Sequence, residues 1–296
     1  MGMFDQAARF AVKIDAAGFF RWLLGDSTTP LVFRDWLDTR RVPTPGGADL
    51  TGDVVAEFDN GDQPGESFAL ILELQTEPAT DIVERVTLYA LQLRRELQRG
   101  AVGAAIINLT GSPAPAELNL PMPGMPGLGM FLKPLQCNLQ ERDALTTLAE
   151  IAAGQTARCI LPWIPLMRGA DLPVIMEWKR LAEPEPDSTL RSAYASVALV
   201  FAELTKGLVL WQNALENWNM RESQIILGWK REGEAEGRLK AMQEGILKVL
   251  QARLHMTIPE DITLALRGTN DLDKLSEWLI AAATTASLDE FRAALT

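Results

Sequence analysis

The stretch SFALILELQTEP, Ser67 to Pro78, constrains the fold more than any other part of the chain. It reads as a short buried strand, yet Glu73 and Gln75 interrupt it just before it ends. Strand alternation puts Phe68, Leu70, Leu72 and Leu74 on one face and Ala69, Ile71, Glu73 and Gln75 on the other, so both polar groups share a face. An unpaired buried carboxylate costs several kcal/mol, which obliges Glu73 to meet water, a cation or a hydrogen-bond donor where the strand emerges. A strand end reaching solvent would satisfy it, and so would a functional site.

Composition narrows the chemistry such a site can use. The 296 residues, 47% of them hydrophobic, suffice for one large domain or one domain with an appendage. No apolar run approaches the roughly 18 residues of a membrane span. The N-terminal residues lack the basic, apolar and small-residue order of a secretion signal, so a cytoplasmic location without membrane contact is expected. Cys137 and Cys159 have neither partners nor zinc-site spacing and read as small buried thiols. The single histidine, His255, lies in a helical tail, which leaves no Ser-His-Asp triad or His-rich metal site unless that tail folds back. Acid–base or metal chemistry must therefore rest on carboxylates. A net charge of −11 opposes indiscriminate attraction to nucleic acid. It leaves room for a local basic groove, or for bound divalent cations that reverse the potential beside a phosphate.

Along the chain, Phe4 to Leu24 has helical spacing interrupted by Gly18, and FRDWLDTRRVPTPGG reads as a Pro/Gly loop. GDVVAEF alternates and is rich in β-branched residues, and with the DNGDQPGE turn it pairs Asp53–Phe58 against Phe68–Gln75 as antiparallel neighbours. DIVERVTLYALQLRRELQRG is a strong helix opened by an Asp81/Glu84 capping box, and AVGAAIINLTG is the next strand. That strand–helix–strand order is sized for a right-handed crossover, so the class is α/β with a mixed sheet. A Pro/Gly-rich loop follows, from Gly111 to Met130. ERDALTTLAEIAAG and DSTLRSAYASVALVFAELTKGLVLWQNAL then supply helices, joined by the buried connection CILPWIPLMRGA. Most of the eight tryptophans sit in segments that read as core. From about Arg221 the chain turns charged and glycine-spotted, an exposed helix or hinge, before four short helices. The expected domains are 1–220, an α/β domain, and 221–296, a helical linker and small helical region expected to mediate self-association or contact with a partner.

Asp53 opens the first strand of the hairpin while Glu73 and Gln75 close the second, and antiparallel pairing brings those ends together. Two carboxylates there suit Mg²⁺, a hard cation that takes one or two carboxylates with waters and substrate phosphate. Such a metal generates a hydroxide-like nucleophile and neutralises charge on a phosphodiester. Asp49, four residues upstream in a loop, is the rival to Asp53. Glu57 shares strand parity with Asp53 and is either a further ligand or a solvent-facing edge residue.

At TGDVVAEF, LILELQTEP, ERVTLYALQLRREL with Arg85 and Tyr89 one turn apart, and GAAIINLTG, the chain resembles the PD-(D/E)XK nuclease superfamily. More narrowly it resembles the recombination-promoting nuclease and transposase-like group, where Glu-x-Gln replaces Glu-x-Lys and a glycine-spotted helix with a helical tail is often appended. The resemblance implies a restriction-endonuclease-like mixed sheet flanked by helices, with a C-terminal helical appendage. It implies an endonuclease hydrolysing DNA phosphodiesters with Mg²⁺, or Mn²⁺ in its place. Asp53 and Glu73 are then the metal ligands, the Leu74 carbonyl an additional one, and Gln75 stands at the lysine position. Gln75 is neutral and only hydrogen-bonds, so Arg85 is the candidate to supply positive charge to a phosphate, its other reading being an i,i+4 pair with Asp81. The alternative function is a catalytically inactive nuclease fold that binds nucleic acid or protein.

Overall fold

The computed structural model describes residues 3–25, 31–37, 53–61, 67–77, 79–97, 101–111, 117–121, 129–216, 218, 224–256 and 258–295. They divide into two compact units, Phe4–Ile226 and one that contains Leu227–Thr296. The boundary expected at 220/221 and the candidate Asp49 lie outside the described residues.

The first unit is α/β. Helices α1 (Met3–Ile14) and α2 (Ala16–Leu24) precede strands β1 (Leu31–Leu37), β2 (Val54–Asn60) and β3 (Ser67–Gln75). Helix α3 (Ile82–Leu97) leads to β4 (Ala101–Asn108), the short hairpin β5 (Leu118–Pro121) and β6 (Gly129–Leu132), and β7 (Leu135–Asn138). Helices α4 (Ala144–Ala152), α5 (Leu172–Ala182), α6 (Ser188–Leu204) and α7 (Leu208–Leu215) complete the unit, with a 3₁₀ helix, Arg158–Leu166, between α4 and α5. The five-stranded sheet runs β1-β2-β3-β4-β7, antiparallel from β1 to β3 and parallel from β3 to β7.

Parity along β3 decides what covers each face. Val55, Ala69, Ile71 and Ile106 point to one side and pack against Ile82, Val83, Val86, Tyr89 and Leu93 of α3. On the other side Phe58 stacks with Phe68 at 5.2 Å and meets Phe20 of α2 edge-on at 4.9 Å. Phe19, its neighbour on α2, packs 5.4 Å from Trp163 of the 3₁₀ helix, and Trp163 lies 5.2 Å from Phe201 of α6. Both cysteines are buried free thiols, and burial pushes both up in pKa, Cys159 to about 12.

Several expectations are corrected. The segment read as a loop holds β1, whose pairing with β2 shifts register between Phe33 and Asp35, a bulge that erases the alternation by which strands are recognised. With β1 outside it, β2 is not an edge, and Glu57 is buried rather than solvent-facing. The N-terminal helix breaks at Asp15, not Gly18, because Asp15 caps α2 by accepting from the Gly18 N–H at 2.9 Å. A Cβ on Gly18 would stand 2.3 Å from the Asp15 carboxylate, so the glycine there allows the cap. The Pro/Gly-rich loop contains β5 and the start of β6, and Lys206, whose φ is +61°, lies at the break between α6 and α7.

Helix α8 (Gln224–Leu254) is the helix of the two alternatives, and it runs on through ILKVLQARL, expected as a separate short helix, so that three follow it in the second unit, α9 (Glu260–Gly268), α10 (Leu272–Thr284) and α11 (Leu288–Ala294). The unit has its own core, which includes Ile246, Leu250, Ile262, Leu266, Trp278 and Phe291. Ser287 accepts from the Glu290 N–H while the Glu290 carboxylate accepts from the Ala286 N–H at 2.7 Å, a reciprocal cap on α11 whose carboxylate reaches one residue beyond the N-cap N–H of a capping box. Phe291→Ala should cost this unit about 3–5 kcal/mol. Hydrogen exchange will show lost protection in α9 to α11 with β3 and β4 unchanged; equal loss in both units would mean that they do not fold separately.

Candidate functional site

The hairpin register pairs Val54 with Leu72, so Asp53, one residue before β2, arrives beside Glu73 near the end of β3. Because β3, β4 and β7 are parallel, this is also the carboxyl end of those strands, where open α/β sheets place their ligands. Register continues the polar character across the sheet, from Gln75 to Asn108 on β4 and from Asn108 to Asn138 on β7.

Asp53 is held by two donors. The Leu74 N–H donates to its Oδ2 at 2.7 Å, and Arg9 of α1 donates from Nη2 to its Oδ1 at 2.5 Å. Glu73 Oε1 accepts from Arg85 Nη2 and from Gln75 Nε2, each at 3.2 Å. Arg85 also stands 4.0 Å from Asp81, so it joins its helical neighbour and the sheet end at once. Asp5, one turn before Arg9 on α1, accepts from Thr76 Oγ1 at 3.3 Å. Asp53, Glu73, Gln75, Leu74 and Arg85 are therefore brought together. Glu57 is not among them: four residues along β2 from Asp53, about 13 Å away at strand rise, it faces Arg34 at 3.7 Å.

Arg9, Asp5, Asn108 and Asn138 are the residues sequence reasoning missed. Asn108 ends an apolar strand with an amide just as Gln75 does, and that shared pattern was the available signal. It is 1% exposed, donates from Nδ2 to Asn138 Oδ1 at 2.6 Å, and its Oδ1 has no partner among the described residues.

The two acids do not behave alike in water and here. Glu73 is 7% exposed. Burial, and then the charge on Asp53, push its carboxyl up to about 7 against the attraction of Arg85. Burial also raises Asp53, opposed first by the Leu74 N–H and then by Arg9. In both, burial is the largest cause of the shift, and the surrounding donors offset it only in part.

Among the described residues no cluster of three or more His, Cys, Asp or Glu side chains can hold a metal. Two carboxylates are what the chain offers, and their oxygens retain lone pairs beyond those engaged by Leu74, Arg9, Arg85 and Gln75. That donor set fits Mg²⁺, which accepts one or two carboxylates and completes its shell with water and phosphate. It offers none of the cysteine and histidine ligands that structural zinc sites are built from.

No family model, curated protein or solved structure matches the chain. Among the described residues no helix is long and apolar enough to cross a membrane.

The raised Glu73 carboxyl has a stability consequence whose sign follows from linkage. The folded state binds this proton more tightly than the unfolded chain does. The contribution is therefore fully present below 4.5 and lost as pH rises toward about 7. Glu73→Gln, which mimics the protonated acid, should be the more stable protein at about pH 8, by on the order of 1–3 kcal/mol, and should match the parent near pH 5. Urea melts across this range check it; parallel pH curves for the two proteins would contradict it.

Proposed function

We propose that the chain is a magnesium-dependent DNA endonuclease of the PD-(D/E)XK type, with a restriction-endonuclease-like core and a recombination-promoting or transposase-like role. The observation that carries this reading is the convergence of Asp53 and Glu73, from the two strands of one hairpin, at the sheet end where Gln75 and Arg85 also meet. The finer fold reading is supported by the order of an antiparallel β2–β3 hairpin, the α3 crossover and the parallel β4.

In this reading Asp53 and Glu73 hold Mg²⁺, with the Leu74 carbonyl as a further ligand, and Mn²⁺ substitutes. When bound, the metal lowers the pKa of its water and neutralises charge developing on the phosphodiester. The chain's own residues do the rest. The Leu74 N–H fixes the Asp53 carboxylate against β3, so the position of one ligand is set by the backbone that carries the other. Gln75 orients Glu73 through its amide and supplies no charge. Arg85, whose side chain is 45% exposed, reaches toward solvent and is the group able to engage a phosphate oxygen.

A second reading has its own support. Arg9 already occupies Asp53 at 2.5 Å and a neutral amide stands where a lysine is usual, an arrangement suited to a fold that binds nucleic acid or protein without cutting. Plasmid nicking separates the two. Cleavage should require Mg²⁺ or Mn²⁺ and vanish in folded Asp53→Ala and Glu73→Ala, a loss of at least about 10²-fold. Gln75→Ala should slow cutting without abolishing metal binding, and Gln75→Lys should preserve or raise activity. Absence of metal-dependent cleavage of any single- or double-stranded DNA, in the parent and in Gln75→Lys alike, would leave the binding module.

A further inference from the structure

Gln75 and Asn108 stand opposite each other across the parallel β3–β4 pair, at the sheet end where Asp53 and Glu73 meet. The pairing is held past the last ladder position. The Leu109 N–H donates to the Gln75 carbonyl at 2.8 Å, and Thr110 Oγ1 donates to the Thr76 carbonyl. Neighbouring strands lie about 4.8 Å apart, so these two side chains, on one face of the sheet, are within reach of each other.

Their amides are unequally served. Gln75 Nε2 donates to Glu73 Oε1 at 3.2 Å. Asn108 is 1% exposed and donates from Nδ2 to Asn138 Oδ1 at 2.6 Å, on the β7 side. Nδ2 and Oδ1 diverge from one planar carbon, so the bond to β7 turns Oδ1 to the β3 side, where it has no partner among the described residues. A buried acceptor left unmet is costly. The strand on that side presents Gln75, whose Nε2 carries two hydrogens.

Glu73 Oε1 has two lone pairs, and Arg85 and Gln75 engage both. Coordination through that oxygen displaces one donor, and a charged guanidinium holds a carboxylate more strongly than a neutral amide does. Gln75 is therefore the donor that leaves.

Resting on the metal reading above, we propose that Asn108 is a positioning residue of the site, whose Oδ1 receives the Gln75 amide when Glu73 gives Oε1 to a divalent cation. In the ligand-free protein Gln75 holds Glu73. In the loaded protein Glu73 coordinates and Gln75 Nε2 donates to the carbonyl on β4. One hydrogen bond replaces another, so releasing Glu73 costs little, and Asn108 favours the loaded state.

A double-mutant cycle, read by calorimetric titration of Mg²⁺ into the full chain, tests this at about pH 8, above the Glu73 value of about 7. Asn108→Leu should weaken Mg²⁺ binding about tenfold, the worth of one hydrogen bond to a buried acceptor that would otherwise go unmet. Gln75→Ala has no amide to move, so it should bind Mg²⁺ within about twofold of the parent, and adding Asn108→Leu to it should change nothing further. The same cycle read by urea melts in EDTA should be additive, because the two side chains do not meet without the cation. An Asn108 that serves only its bond to Asn138 would lower stability in both backgrounds and leave Mg²⁺ affinity alone, which would overturn the proposal. Coupling already present in EDTA would overturn it too. Should Asn108→Leu not fold, nuclear Overhauser contacts of the Gln75 side-chain amide in the parent decide. They should pass from Glu73 to Asn108 when Mg²⁺ is added, and contacts that stay with Glu73 refute the exchange. Mg²⁺ binding that Asp53→Asn removes, without coupling between Gln75 and Asn108, would sink the exchange and spare the metal site. No Mg²⁺ binding to any form would sink both.

Discussion

Two carboxylates that repel each other below the protein surface set the terms for the sheet end around them. Asp53 and Glu73 lose hydration by lying at the open end of a hairpin, and neither alone can be satisfied by the other. Backbone and side-chain donors answer this: the Leu74 N–H of β3, Gln75 beside it, the Asp53 N–H, Arg9 of α1 and Arg85 of α3. Helix α3 is fixed there by its apolar face on Ile71 and Ile106, so packing remote from the acids delivers the guanidinium that Glu73 needs. The result is incomplete compensation, and it leaves both carboxyls raised above their ordinary values.

The same arrangement explains how far the sequence could be read. Interruption of an apolar strand by Glu73 and Gln75 marked the site, and antiparallel geometry placed Asp53 beside it, because period-two alternation and hairpin closure are local rules. Arg9 was invisible for the opposite reason. Helical periodicity tells which face of α1 is apolar, but contact with Asp53, 44 positions away, depends on how that helix lies on the sheet. Strand β1 escaped because its bulge breaks alternation, and β7 because four residues, LQCN, carry too little pattern to register. Missing β1 in turn made Glu57 look like an edge residue, so one local irregularity misplaced a side chain on the neighbouring strand.

The order in which contacts close along the chain also separates the parts of the site. Asp53 and Glu73 belong to one hairpin and meet through short-range pairing. Asn108 and Arg85 come with the β3–α3–β4 crossover, and Arg9 with a helix far upstream. The acids are therefore assembled by the nearest contacts and their basic partners by more distant ones, and loop-closure entropy weighs most on the latter.

Helix α8 carries a different implication. At Gly228, Gly237 and Gly245 an added Cβ would meet no atom of the described residues within 4 Å, so nothing among them requires a glycine. Each lowers helix stability by about 0.5–1 kcal/mol relative to alanine. A helix of 31 residues thus keeps a reserve of strength that ordinary substitutions would release. In evolutionary terms its rigidity is an adjustable dial: single-codon changes can stiffen it stepwise while leaving the chemistry of the sheet untouched.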